Sequence, residues 1–395
     1  MRKSVLLLAF LVISVASFAQ MKKDRTTAYN YWQKHELAKA KEYIDKASES
    51  PDAASDAKVW YYKGSIYLDL SVSPELRVLY PNALETAYES NSKAKLLDTK
   101  NEFKTEILTN LLTIAGRYYD LGVGLVQAAN ATRTSYQDAA ANFEKSLKIS
   151  SENNVIDTSV FLGLGISYSY AGDTANAIKA YKKLIEMGAK EPSAYNSLSN
   201  LYKGKGDYDN AFKYVKEGLE LYPSNTDMNV TQVNLFIATK QHNKALESLF
   251  KVREKEPENV SIQYAIGVTY DLLKNDTLLP QADRDKYFKE AVTAYEKTIK
   301  MDSTHFDALF NLGVIYFNKG GDVINVANKL PLSESKKYDD MIAEGKNNLK
   351  MALPNFERAE KLNPNDSQLL LSLKEIYTRL AMMDKLQQIN AKLNK

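Results

Sequence analysis

The sequence contains no cysteine in its 395 residues, which excludes disulfides, thiolate metal ligands and cysteine nucleophiles together. It is also poor in turn-formers. Glycine and proline number 16 and 10, whereas average usage of roughly 12% would supply about 47. Neither sign of charge is in surplus: 52 Lys and Arg face 49 Asp and Glu, for a formal net charge of +3. Such a balance lacks the basic stripe that displaces counterions from a phosphate backbone, so no nucleic-acid partner is expected. What is present, 44% hydrophobic and 26% charged residues, is ample for a packed core and suits a long helical array better than disorder.

The first residues have the layout of a secretory signal peptide. Arg2 and Lys3 precede an uncharged apolar run from Val5 to Val15, and Ala16-Ser17-Phe18-Ala19-Gln20 follows, with small residues at Ser17 and Ala19 where a signal peptidase reads. As a helix the eleven-residue run would span about 17 Å against a hydrocarbon core of about 30 Å, too short to cross comfortably. Residues 1–19 are therefore expected to be removed after Ala19, leaving a mature chain of net charge +1; the alternative is an uncleaved membrane anchor that uses further residues up to Phe18. No Cys follows the run, so lipid attachment there is chemically impossible. No other stretch approaches the length of a membrane span.

The remainder repeats itself every 34 residues: Gly165, Ser199, Val233 and Gly267 keep this step, as do Tyr168, Tyr202, Phe236 and Tyr270, and Ala177, Ala211 and Ala245. Pro223 and Pro257 are also 34 apart. Within each period the apolar residues fall at helical spacing in two segments separated by a polar turn such as Ala171-Gly172-Asp173, so each period reads as a helical hairpin. Small residues at Gly165 and Ala177 let the two axes approach, aromatics fill the space beside them, and the prolines end the second helices. Intervals longer than the regular one, Tyr67 to Ala87, Tyr118 to Ala139, Tyr270 to Ala291 and Tyr316 to Ala352, mark insertions within repeats. Apolar residues in them (Leu76, Val78, Leu79; Leu278, Leu279; Val323, Ile324, Val326, Leu330) either cover neighbouring helices or form a binding lip. The segment from Ser335 to Leu362 reads as one long second helix, with Tyr338, Met341, Ile342, Leu349 and Leu353 on an apolar stripe and a kink at Pro354.

This pattern resembles the tetratricopeptide repeat family, whose W-x2-L-G-x2-Y…A-x3-F…P signature has the same period. It is carried by Trp60, Gly64 and Tyr67; by Gly165, Tyr168 and Ala177; by Tyr202, Ala211 and Pro223; by Ala245, Pro257, Gly267 and Tyr270; and by Gly313, Tyr316, Ala352 and Pro364. The resemblance implies an all-α fold, a right-handed α-solenoid of stacked hairpins with about eight repeats. The expected organisation is a degenerate N-terminal hairpin in 20–58, its helices at about Thr27 to Ser48; divergent units with insertions in 59–158; regular units in 159–260; units with long insertions in 261–365; and a capping hairpin in 366–395 with a polar outer face at Asn390, Lys392, Asn394 and Lys395.

No catalytic constellation is visible, and neither a cofactor nor a metal is expected. His35, His242 and His305 are far apart, form no metal-spaced pair and are expected on surfaces or second helices. Gly122-Val123-Gly124 and Gly163-Leu164-Gly165 lie in helical register, where packing explains them better than phosphate binding. An acid pair beneath the Tyr316–Ala352 insertion is what an enzyme would need.

In the family the first helices line a concave groove, and the resemblance places Tyr61, Asn196, Asn200, Asn234, Tyr264 and Phe310 on it, with Ser65, Val230, Val268 and Val314 beside them. Amides among aromatics suit an extended peptide. Family members that grip acidic chaperone tails use cationic clamps over three units; here Thr231, Ser261 and Ala265 stand where cations are needed. The expectation is a non-enzymatic interaction scaffold of the bacterial cell envelope, exported to the periplasm with peripheral outer-membrane association as the open alternative, holding a protein or peptide partner. The alternative is an envelope protein that binds a glycan or small ligand on groove tyrosines.

Overall fold

The computed structural model describes residues 2–393, with side chains from Ser17 onward. The apolar run Val5–Val15 and the terminal Asn394 and Lys395 of the expected cap lie outside the described side chains. The chain divides into two compact units, residues 1–201 and 202–395. In the first, helices α1 (Arg2–Gln33), α2 (Leu37–Glu49), α3 (Ala57–Val72), α4 (Leu76–Leu79), α5 (Ala83–Leu97), α6 (Lys104–Val126), α7 (Arg133–Glu152), α8 (Thr158–Ala171) and α9 (Thr174–Glu186) follow one another; α10 (Pro192–Gly204) contains the division. The second holds α11 (Tyr208–Leu221), α12 (Thr226–Ala238), α13 (His242–Lys255), α14 (Val260–Lys274), α15 (Gln281–Met301), α16 (Phe306–Ala327), α17 (Ser335–Leu362), α18 (Ser367–Arg379) and α19 (Met383–Leu393). No strand occurs among the described residues. The fold is an all-α solenoid of helical hairpins.

Capping explains why helices start where they do. The carboxylates of Asp56, Asp157 and Asp366 and the amides of Asn225 and Asn259 accept from backbone N–H groups in the first turn of first helices, while Asp173 and Asp207 do so for second helices. Each satisfies donors that an α-helix leaves open. α16 is capped by His305, whose Nδ1 accepts from the Ala308 N–H at 3.3 Å. His305 therefore belongs to the start of a first helix, a role the sequence reading did not foresee. Helices α11, α13 and α17 each end two residues before a proline, Pro223, Pro257 and Pro364, because proline has no N–H to continue the ladder.

The close approach within hairpins rests on one repeated device. A Cβ added at Gly165 would stand 2.5 Å from the Tyr181 ring, one at Gly267 2.8 Å from Tyr295, and one at Gly313 2.5 Å from Phe356. Each second-helix ring thus lies on bare first-helix backbone, four residues after its buried alanine, Ala177, Ala291 or Ala352. Phe143 extends the device to two helices, since it fills the notch left by Gly122 of α6 and by Gly163 of α8. Burying such rings stabilises by about 1.5–3 kcal/mol each.

One expected boundary shifts, while the long second helix keeps its expected bounds, Ser335–Leu362. α1 is continuous through Ala19 and Gln20, and Met21 and Ala28 are already in the core, so the first hairpin begins well before Thr27. The insertions are largely helical: α16 and α17 reach 22 and 28 residues, and their added turns face each other. Added Cβ atoms at Gly320 and Gly345 would meet each other's carbonyl oxygens at 2.9 and 3.0 Å. Leu349 and Ile342 join the core from the predicted stripe, whereas Tyr338 stays exposed.

Candidate functional site

The residues expected on the first-helix groove have different surroundings. Tyr61 is stacked on Phe103, with ring centroids 5.0 Å apart, so one ring face is covered. Ser65 beside it is buried: its hydroxyl donates to the Tyr61 carbonyl and accepts from Asn110, whose amide also donates to Asn91. Asn91 occupies the second-helix position held elsewhere by a ring, and its own amide donates to the Ala87 carbonyl at 2.9 Å. A wired polar cluster replaces an aromatic there, which removes Ser65 from any groove. Tyr264 lies against His305 at 4.8 Å and its hydroxyl accepts from Asn311 at 2.9 Å, while Phe310 packs on Phe306 and Phe356.

What remains on the surface is more polar. Asn200 is exposed and donates to the Asn196 carbonyl of its own helix at 3.1 Å, and Asn196 is half-buried. In the second unit Asn234 is exposed, Val230 is partly so, and Val268 and Val314 are half-buried. Trp60 is half-buried and donates its indole N–H to the Ala53 carbonyl at 2.7 Å, a packing role.

The first-helix tyrosines tie one hairpin to the preceding one. Tyr67 donates to Asp45 at 2.9 Å, Tyr118 to Glu85 at 2.7 Å, Tyr168 to Glu144, and Tyr377 to Glu357 at 3.2 Å. Burial would raise the Asp45 carboxyl, but Lys41, Lys63 and the Tyr67 hydroxyl outweigh it and hold it below its ordinary value. Burial, then the bond to Asp45, pushes Tyr67 up to about 12. Burial and the paired carboxylate likewise raise Tyr118 and Tyr168. Neutral hydroxyls facing ionised carboxylates serve as structural fastenings between hairpins.

The insertions in the second unit build a concavity that no single repeat suggests. Each seats some apolar residues and exposes others: Leu279 and Ile324 pack into cores, while Leu278, Val326 and Leu332 are exposed. The insertion before α17 therefore both covers and projects. The end of α14, the start of α15, the prolonged α16 and the face of α18 enclose a cleft of about 860 Å³, within the range of small-molecule sites. Its apolar wall includes Phe288, Ile315, Phe317 and Leu349, and Lys274, Arg284, Lys319 and Arg379 also line it. None of the expected groove residues does. Basic residues up to 105 positions apart carry no local signal; the insertion lengths were the only sequence hint of this feature.

Asp339 and Asp340 are exposed on α17, and among the described residues no three His, Asp or Glu side chains could together hold a metal ion. Nor is any helix, among those residues, long and apolar enough to cross a membrane.

A stack of two-helix units closed by glycine–ring contacts defines a helical-repeat protein. Residues 162–226 match the tetratricopeptide repeat family model. Among solved structures it is similar to a tetratricopeptide repeat protein from Parabacteroides merdae, at 15% identity over 78% of this chain and 98% of that one, with a TM-score of 0.39. It is also similar to YrrB, described as a TPR protein with an unusual peptide-binding site, at 18% identity, 56% and 97% coverage and a TM-score of 0.37, and to MamA from Desulfovibrio magneticus, at 16% identity, 53% and 97% coverage and 0.39. No curated protein matches the chain.

Proposed function

We infer that the protein is a non-enzymatic interaction scaffold of the bacterial cell envelope, exported to the periplasm, that holds a protein or peptide partner on its first helices. The observation that carries the reading is the division of labour within hairpins. Second-helix residues such as Tyr181, Tyr295 and Phe356 are committed to packing, whereas Asn200 and Asn234 stand exposed on first helices, where an amide can both donate to and accept from a peptide backbone. Export is supported by the basic, apolar and small-residue sequence of the first nineteen positions. It also agrees with the packing around the expected cut: Phe18, Ala19 and Gln20 are exposed and the described core starts at Met21. The glycan alternative is not favoured, since Tyr61 and Tyr264 already have ring or hydroxyl partners within the fold.

Photo-crosslinking tests the reading. With a photoreactive residue at Asn234 in the native envelope, one partner should be trapped reproducibly, and the same residue at the exposed second-helix position Lys216 should trap none. Mass spectrometry of the recovered protein should find Gln20 as its first residue. Equal trapping at both positions would overturn the partner surface, and an intact Met1 in the soluble cytoplasmic fraction would overturn export.

A further inference from the structure

We propose that the cleft between α14, α15, α16 and α18 is a binding site for a small organic monocarboxylate with an aromatic or branched apolar body, a ligand site separate from the first-helix surface. The argument begins with charge. Of the four cations lining the cleft, two are neutralised within the fold: Lys274 pairs with Asp271 at 2.7 Å and Arg379 with Glu375 at 2.6 Å. Arg284 and Lys319 form no ion pair among the described residues. Arg284 donates through one Nη to the Gln281 amide oxygen at 2.5 Å, but its Nε–H is buried with no acceptor. An unmade bond from a buried charged donor is costly, and an incoming oxygen at that position would relieve it. Lys319 is held over the face of Phe288, its Nζ 4.4 Å from the ring centroid, so its ammonium is positioned by an aromatic neighbour and remains available to an anion.

The rest of the lining selects the kind of anion. Asp285 and Asp322 also line the cleft and are exposed, so a polyanion such as a nucleotide or phosphorylated sugar meets two like charges beside its two cations. A single carboxylate does not need more than Arg284 and Lys319 supply, and a planar carboxylate suits the forked donors of a guanidinium. Phe288 and Phe317, both only partly buried, offer ring surface to the remainder of the ligand. Both insertions are needed for this enclosure, since Arg284 and Phe288 stand at the start of the lengthened α15, and Lys319 and Asp322 on the extension of α16.

The test uses the full chain, titrated at low ionic strength with 4-phenylbutyrate, with its amide and with inorganic phosphate, and followed by isothermal calorimetry. 4-Phenylbutyrate should bind saturably at one site, the amide at least tenfold more weakly, and phosphate should not displace it. Arg284→Gln should weaken binding at least tenfold and Lys319→Gln by a smaller factor, with Asn234→Ala unchanged. Helical circular dichroism of each variant separates lost binding from lost folding, and Lys319→Gln, at a half-buried position, provides a second reading if Arg284→Gln does not fold. Absence of saturable binding, equal affinity for acid and amide, displacement by phosphate, or full affinity in a folded Arg284→Gln variant would each overturn the proposal.

Discussion

The hairpin of α8 and α9 and that of α16 and α17 use the same contact and yet differ greatly in length. In the shorter one Gly165 lies beneath Tyr181; in the longer one Gly313 lies beneath Phe356 in the same way. The longer pair then continues: Gly320 follows Gly313 by seven residues, two helical turns on the same face, and meets Gly345 across the interface. Insertion here has added turns to an existing seam, keeping the repeat's geometry at one end while projecting helix from the other. That projection supplies one wall of the cleft. The regular hairpin is determined by packing alone, whereas the extended one also gains a surface that packing does not use.

The largest expected effect tests whether the shared seam is dominant in both hairpins. Phe356→Ala and Tyr181→Ala should each cost about 3–5 kcal/mol in denaturant unfolding, as for truncation of a fully packed ring. A loss below about 1 kcal/mol at Phe356 alone would show that the added turns, and not the shared contact, hold the long hairpin together. Gly320→Leu should cost roughly 1–3 kcal/mol by overpacking, because its Cβ would meet the Gly345 carbonyl oxygen at 2.9 Å and a backbone atom cannot swing aside. Gly321→Leu is the matched control, since nothing lies within 4 Å of its Cβ, and equal losses from the two would dissolve the distinction between seam and surface. Next, His305→Ala should remove the cap of α16 at a cost of about 1 kcal/mol, read from the same unfolding curves; an unchanged midpoint would show that the extended helix does not depend on its start.

The smallest effect concerns the ties between hairpins. A tyrosine whose folded pKa is raised retains its proton after the unfolded chain has lost it, so its stabilisation is complete below pH 10 and is lost as pH rises towards about 12. At pH 10 the loss is only about 0.4 kcal/mol, growing above it. Tyr67→Phe should flatten this part of the profile, and an unaltered slope would remove Tyr67 as its source.

Much of the fold was legible because the physics that sets it is local and periodic. Ala177, Ala211 and Ala245, the prolines after second helices, and the glycines under rings recur at a single step, and each has a short-range reason to do so. The caps at Asp173 and Asp207, or Asn225 and Asn259, keep the same step, but it was the structure that identified them as caps. The candidate site was less legible. Tyr61 was expected to face a groove, and Phe103, 42 residues away, stacks on one face of its ring. Ser65 matched the register and was buried by Asn110. No pattern within one repeat could have announced either neighbour.

The amino-acid sequence by itself determined the unit of construction: a helical hairpin of 34 residues, closed by a small residue against a ring and interrupted at definable places. Helical periodicity and steric fit act over a few turns, so they are written into adjacent residues. Only the tertiary structure decided which side chains are left over once the hairpins stack. Lys274 and Arg379 find carboxylates on their own helices, while Arg284 and Lys319 line the same cleft with no ion pair among the described residues. Burial and electrostatic pairing depend on what other helices place nearby, and that is settled in space, between residues far apart in the chain.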